Sequence, residues 1–209
     1  MLRMIQIDKS FNIGTINEKQ IFQGLNLTIR DGDFITVIGG NGAGKSTMLN
    51  LIAGVHKADG GRIILDGEDL TYKNETQRAK YIGRVFQDPM MGTAPTMMIE
   101  ENLAMAYRRT KRRTLAWGIS QKERELYRAS LAQLGLGLED RMKTKVGLLS
   151  GGQRQAVTLL MATLQKPKLL LLDERTAALD PATSAKVLQL SDQIIREHGL
   201  TALMVTHNM

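Results

Sequence analysis

The sequence predicts an α/β fold interrupted by an all-helical insertion, and three observations carry that prediction. Short β-rich runs alternate with helical stretches up to about residue 88 and again after about residue 165. Between them, from Pro89 to Leu164, the apolar spacing is helical, with no clear strand. A glycine-rich loop joins one β-rich run directly to a helical stretch at Gly39–Ser46.

Taken in order, Leu2, Met4 and Ile7 mark a short first strand. Leu25, Leu27 and Ile29 alternate with polar residues as a half-buried strand does. Asp31-Gly32-Asp33 is a turn. Phe34–Ile38 reads as a buried strand, and Lys45–Ala53 as a helix stopped by Gly54. Asp59-Gly60-Gly61 turns into a strand at Arg62–Leu65, and Gly83–Phe86 is a further short strand. Ser120 and Glu123 form a capping box opening a helix to about Leu134, ended by Gly135 and Gly137. An apolar helix spans Ala156–Leu164, preceded by a cap at Ser150. Leu169–Leu172 is a buried strand, Pro181 opens a helix running to His198 with Gly199 as its stop, and Leu203–Val205 is a final strand.

Composition bounds the function classes. With 209 residues and 43% hydrophobic content the chain can bury a core and is neither disordered nor collagen-like. Lys and Arg exceed Asp and Glu by 28 − 21 = 7, which favours anionic partners: nucleotides, nucleic acid or an anionic membrane surface. The absence of cysteine excludes disulfides, thiolate metal sites and a cysteine nucleophile. Met1–Ser10 carries Arg3, Asp8 and Lys9 and has no apolar signal core. The most apolar runs fall far short of the roughly 20 residues that span a bilayer.

The loop Gly39-Gly40-Asn41-Gly42-Ala43-Gly44-Lys45-Ser46 fits G-x-x-x-x-G-K-[ST], with Thr47 next. Phosphate oxygens need inward-pointing backbone N–H groups, and side chains would block that approach. The helix that follows adds the positive end of its dipole. Lys45 supplies a cation for the β- and γ-phosphates, and the Ser46 hydroxyl a ligand for Mg²⁺. Four fixed positions arise by chance in about 1% of chains of this length. The strand before and the helix after make a nucleotide site much the better account. Leu169–Leu172 then ends in Asp173-Glu174, at the strand edge where open α/β sheets bind ligands. Asp173 suits Mg²⁺ and Glu174 a general base; a solvated Asp-Glu pair at a strand end is the plain alternative.

Leu149-Ser150-Gly151-Gly152-Gln153 builds a second anion-binding helix end. One nucleotide does not need two such ends from one subunit, so the second is expected to serve another subunit's nucleotide. With these residues in place, the chain resembles the ATP-binding cassette (ABC) ATPases, the nucleotide-binding subunits of ABC transporters. Gly39–Ser46 matches Walker A, Leu169–Glu174 Walker B and Leu149–Gln153 the signature motif. Gln87 matches the Q-loop glutamine, Ala178-Leu179-Asp180 the D-loop and His207 the switch histidine. Phe11 sits where the family has an aromatic that stacks on adenine; taken alone it could equally be core.

The resemblance implies a P-loop NTPase core with a mostly parallel sheet, an N-terminal antiparallel β subdomain and an α-helical insertion. It implies one ATPase domain over 1–209, with 1–88 and 165–209 as core and β subdomain and 89–164 as helical subdomain. Members normally continue beyond the point, two residues after His207, where this sequence stops, so the domain is expected to be C-terminally truncated. Arg175 stands where many members have Pro.

The implied chemistry is ATP hydrolysis with Mg²⁺. Glu174, His207, Lys45 and Gln87 would be catalytic, and Ser46, Gln87 and Asp173 would hold the metal. Phe11, Gly39, Asn41, Gly42, Ala43, Gly44, Lys45, Ser46 and Thr47 would bind ATP. Ser150, Gly151, Gly152, Gln153 and Asp180 would bind it in trans, across a head-to-tail homodimer.

The implied partners are a second ATPase subunit, an integral membrane permease and an extracytoplasmic substrate-binding protein, on the inner face of the cell membrane. Gln87-Asp88-Pro89-Met90-Met91-Gly92-Thr93, with Gly147–Gly152, looks like a bacterial importer subgroup associated with aromatic amino acids. A soluble cassette acting on ribosomes or DNA is the alternative. Such proteins usually carry two cassettes or a long coiled coil, and this chain has neither. Arg108-Arg109-Thr110-Lys111-Arg112-Arg113 is a solvated basic loop or a contact for lipid headgroups or RNA. The methionines after Gln87 suit docking to a permease or ordinary packing.

Overall fold

A computed structural model describes residues 1–86, 88, 90–109, 118–173 and 181–206, with the backbone alone for 181–188. Gln87, Glu174, Arg175 and His207, with most of the basic run and all of the D-loop including Asp180, lie outside the described residues. The chain divides into two compact units. One contains Met1–Arg84 with the strands near 170 and 204; the other contains Val85–Pro167 and the helix that begins at Pro181. That helix therefore groups with the helical insertion, whereas the sequence places all of 165–209 with the core.

The first unit holds two four-stranded sheets. In one, β1 (Leu2–Phe11) lies between β2 (Lys19–Ile29) and β4 (Gly60–Leu65), with β5 (Glu68–Asp69) beyond β4, and every pairing is antiparallel. In the other the order is β3 (Phe34–Ile38), β8 (Ala202–Thr206), β7 (Leu169–Asp173) and β6 (Ile82–Val85). There β8 runs parallel to both neighbours, β3 and β7. Helix α1 (Lys45–Ala53) buries Met48, Leu49, Leu51 and Ile52 against the strands. A short α2 follows at Glu75–Arg78.

β1 is longer than the sequence suggests and is broken by an irregularity. Leu2 and Met4 are buried, then the register shifts and Ile7 is the next buried residue. Gln6 sits at φ 48°, a left-handed conformation that its residue type does not announce. Opposite, a Cβ on Gly61 (φ 86°) would lie 2.2 Å from the Gln6 carbonyl oxygen, so only glycine fits there.

β3 corrects a second expectation. It stands at the end of its sheet among the described residues, and Phe34 and Ile38 are 45% and 55% exposed. Only Ile35 and Val37 pack on the core. A short β-rich run looks the same in sequence whether it is central or at an edge. β7 meets its expectation fully: Leu169–Leu172 are at most 1% exposed.

The second unit is helical: α3 (Ile99–Tyr107), α4 (Gln121–Ala132), a 3₁₀ turn at Val146–Leu148, α5 (Gly151–Thr163) and α6 (Pro181–His198). α4 has its Ser120–Glu123 capping box. α5 begins at Gly151, capped by Ser150 as the sequence predicts; Ser150 and Gln153 cap each other reciprocally and carry the helix over both glycines ahead of Ala156. The insertion contains no strand among the described residues, yet one bridge pairs Met98 with Lys145.

Candidate functional site

The phosphate-type loop connects β3 to α1. Gly44 is the N-cap of α1 at φ 87° and Gly42 lies at φ 80°, so both glycines hold the left-handed turns that wrap the loop. A Cβ on Gly44 would meet the Ile21 side chain at 2.8 Å and the Phe22 ring at 3.0 Å. The loop is thus backed by β2 and faces outward with Asn41, Gly42, Ala43 and Ser46 exposed and Thr47 half-buried. The first N–H groups of α1 have no partners within the helix.

Lys45 is buried at 6% exposure. Its ammonium donates to the carbonyl oxygen of Gly40 at 2.8 Å and to that of Gly39, so the charge is held inside the loop. This cradle of glycine backbone around a cation is what a triphosphate requires, and the donor set fits ATP.

Strand register gathers further residues at the same edge. Ile38 pairs with Thr206, and Val205 with both Val37 and Asp173. Ile38, the half-buried Asp173 and Thr206 therefore stand at the same carboxyl ends of parallel strands. Asp173 stands two strands from β3, roughly 10 Å at ordinary strand spacing. Arg84 on β6 donates to Asn50 Oδ1 at 2.7 Å. Burial lowers its pKa, and the charges of Asp173 and Glu75 oppose that shift.

Phe11 ends β1, paired with Lys19. It is half-buried, edge-on to His56 at 5.3 Å between centroids, with the Lys9 ammonium 5.2 Å from its ring. Lys19 lies beside the loop: its Nζ would be 3.8 Å from a Cβ on Gly42. Sequence reasoning missed Lys19 and Arg84, since neither belongs to a motif; only pairing and register bring them close.

In the second unit, Ser150 Oγ accepts from the Gln153 N–H at 3.3 Å, and Gln153 Oε1 accepts from the Ser150 N–H at 3.2 Å. Ser150 and Gly151 are exposed and Gly152 is buried. A cavity of about 420 Å³ adjoins this helix end, lined by Ser150, Gly152 and Gln153 with Gln133, Gln189 and Gln193 among others. Each unit thus has a helix that starts beside glycines, capped at Gly44 in the first and at Ser150 in the second.

Comparison with known proteins agrees with this geometry. The ABC transporter family profile matches residues 22–177. The chain is 44% identical to a tyrosine transport ATP-binding protein of Clostridioides difficile, over its full length and 83% of that protein. It is 38% identical to the methionine import ATP-binding protein MetN of Rhizobium johnstonii, over 89% of this chain and 49% of that one. The dimeric cassette MJ0796 bound to ADP and Pi superposes with a TM-score of 0.82 at 29% identity, covering all of this chain and 88% of that chain. A glycine cradle around Lys45, a second capped helix end at Ser150 and these likenesses together establish that the chain belongs to the ABC transporter family, as one of its ATP-binding cassettes.

Proposed function

We propose that this ATPase subunit drives import of a small solute, an amino acid of the kind its tyrosine- and methionine-transport relatives are named for. The solute would pass through a separate membrane permease supplied by an extracytoplasmic binding protein. The observation that carries the reading is the pair of anion-binding helix ends, at Lys45 and at Ser150, in one chain. The dimeric state of the similar MJ0796 cassette supports a head-to-tail pair, each nucleotide held by one subunit's loop and the other's signature end.

In that arrangement Gly39–Thr47 hold the phosphates through backbone N–H groups, and Lys45 turns from the Gly39 and Gly40 carbonyls toward the β- and γ-phosphates. Phe11 offers a ring face to adenine. Ser150, Gly151, Gly152, Gln153 and Asp180 close the site from the partner side. Glu174 accepts a proton from the attacking water, whose oxygen bonds to the γ-phosphorus as the bond to the bridging oxygen breaks. His207 and Gln87 orient the γ-phosphate and that water. Ser46, Asp173 and Gln87 would hold Mg²⁺, which would supply charge stabilisation to the phosphate oxygens.

No described helix is long and apolar enough to cross a membrane. The permease would instead dock on the second unit, where Met90, Met91 and Leu148 are 41%, 70% and 74% exposed.

Light scattering of the Glu174→Gln protein tests the reading. Mg-ATP should convert monomer to dimer. Bound ATP with no dimer, in the presence or absence of the permease, would overturn it.

A further inference from the structure

The stretch after Gln87 and the stretch before Ser150 are joined by their backbones. The Gly147 N–H donates to Pro95 O at 2.8 Å, and Val146 N–H to Met97 O, Ile99 N–H to Thr144 O and Glu100 N–H to Met142 O, each at 3.0 Å. The fully buried Asn102 clamps one side, donating to Met98 O at 2.9 Å and accepting from Ala94 N–H at 2.8 Å. Gly147 has no room for a side chain, since a Cβ would stand 2.9 Å from Pro95 O.

Arg154 reaches back over this junction. It lies one helical turn after Ser150, and helical side chains tilt toward the N-terminus, so its head covers the start of α5. Nη2 donates to Leu149 O at 3.0 Å and Gly147 O at 3.1 Å, and Nε to Val146 O at 3.4 Å. Nη1 lies against the Met90 sulfur. One guanidinium therefore gathers three carbonyls of the turn that delivers Ser150 and ties that turn to the chain after Gln87. Turned outward, those carbonyls would place negative partial charge beside a helix start that has to meet phosphate.

We propose that Arg154 is a positioning residue for the signature end, holding the 146–149 turn so that Ser150 Oγ and the first N–H groups of α5 face the partner subunit's nucleotide. This rests on the in-trans reading of Ser150. It requires the forked donor geometry of arginine and not charge alone.

The test compares Arg154→Met, Arg154→Lys and Ser150→Arg in the Glu174→Gln background. Calorimetry gives the affinity of the monomer for ATP, and light scattering gives ATP-driven dimerisation. Arg154→Met should leave ATP affinity within about twofold and weaken dimerisation by about tenfold, the scale of one or two lost hydrogen bonds. Amide exchange of Gly151–Gln153 should quicken. Arg154→Lys should recover dimerisation only in part. Dimerisation of Arg154→Met equal to that of the parent, or full recovery by Arg154→Lys, overturns the proposal. If Arg154→Met does not fold, Arg154→Lys and its amide exchange decide the matter. Ser150→Arg should block dimerisation. If it does and Arg154→Met does not, the role of Arg154 falls alone; if Ser150→Arg dimerises normally, the in-trans reading falls as well.

Discussion

Arg78 Nη1 donates to the carbonyl oxygen of Leu51 at 2.6 Å, from a side chain only 1% exposed. The same guanidinium reaches Ile52 O at 2.8 Å, Lys73 O at 2.7 Å and Thr71 O at 3.2 Å. It caps the C-terminal end of α1, the helix whose other end starts at Lys45. Burial pushes its pKa down to about 10, with the charge of Asp69 opposing, which leaves the group charged at neutral pH. Arg78→Met leaves buried acceptors without this donor and should cost about 3 kcal/mol. Urea unfolding should show a lowered midpoint with unchanged slope. A loss below about 1 kcal/mol would contradict this account of the cap.

Glu123 gives a pH prediction. Its hydrogen bond from Arg108 holds the carboxyl down to about 2, helped by the Ser120 N–H and hydroxyl and opposed by burial. The folded pKa is lower than the unfolded one, so this stabilisation is complete above about pH 4.5 and is lost as pH falls toward 2. Arg108 is 41% exposed, so screening reduces the contribution to about 1 kcal/mol. Glu123→Gln should therefore lower thermal stability at pH 7 and flatten its decline between pH 4.5 and 2. An acid decline as steep as that of the parent would refute the assignment.

Lys45→Ala removes the cation from the glycine cradle but leaves the apolar face of α1 intact. ATP affinity should fall by about ten- to a hundredfold, the scale of a charge-assisted hydrogen bond to phosphate. The melting temperature without nucleotide should move little. Calorimetric titration checks the first and thermal denaturation the second; affinity within about twofold of the parent would remove Lys45 from the site.

Much of the fold was legible because certain residue types are tied to certain geometries. Gly54 and Gly199 end their helices, Pro181 begins one, and four consecutive leucines make a strand buried on both faces. Both anion-binding ends were legible for the same reason: backbone approach demands glycine, and a helix start prefers serine. What stayed hidden depends on neighbours distant in sequence. Nothing in Gln6 signals its left-handed turn, which exists because Gly61 crosses beside it. Arg78 looks like a surface cation until α1 ends above it. The edge position of β3 follows from strand order, and the junction of Pro95 with Gly147 joins two loops that carry no strand pattern.

The exposed flank of β3 bears on how this 209-residue chain behaves in solution. Among the described residues β3 is the end strand of its sheet, with Phe34 and Ile38 on its surface, and an exposed strand edge is where strand-to-strand aggregation begins. Self-association by that route would need neither nucleotide nor Ser150, would grow with concentration without stopping at two copies, and would respond to a lysine at Ile38. A scattering signal that persists in Ser150→Arg without ATP therefore reports sticky edges and not a closed cassette pair.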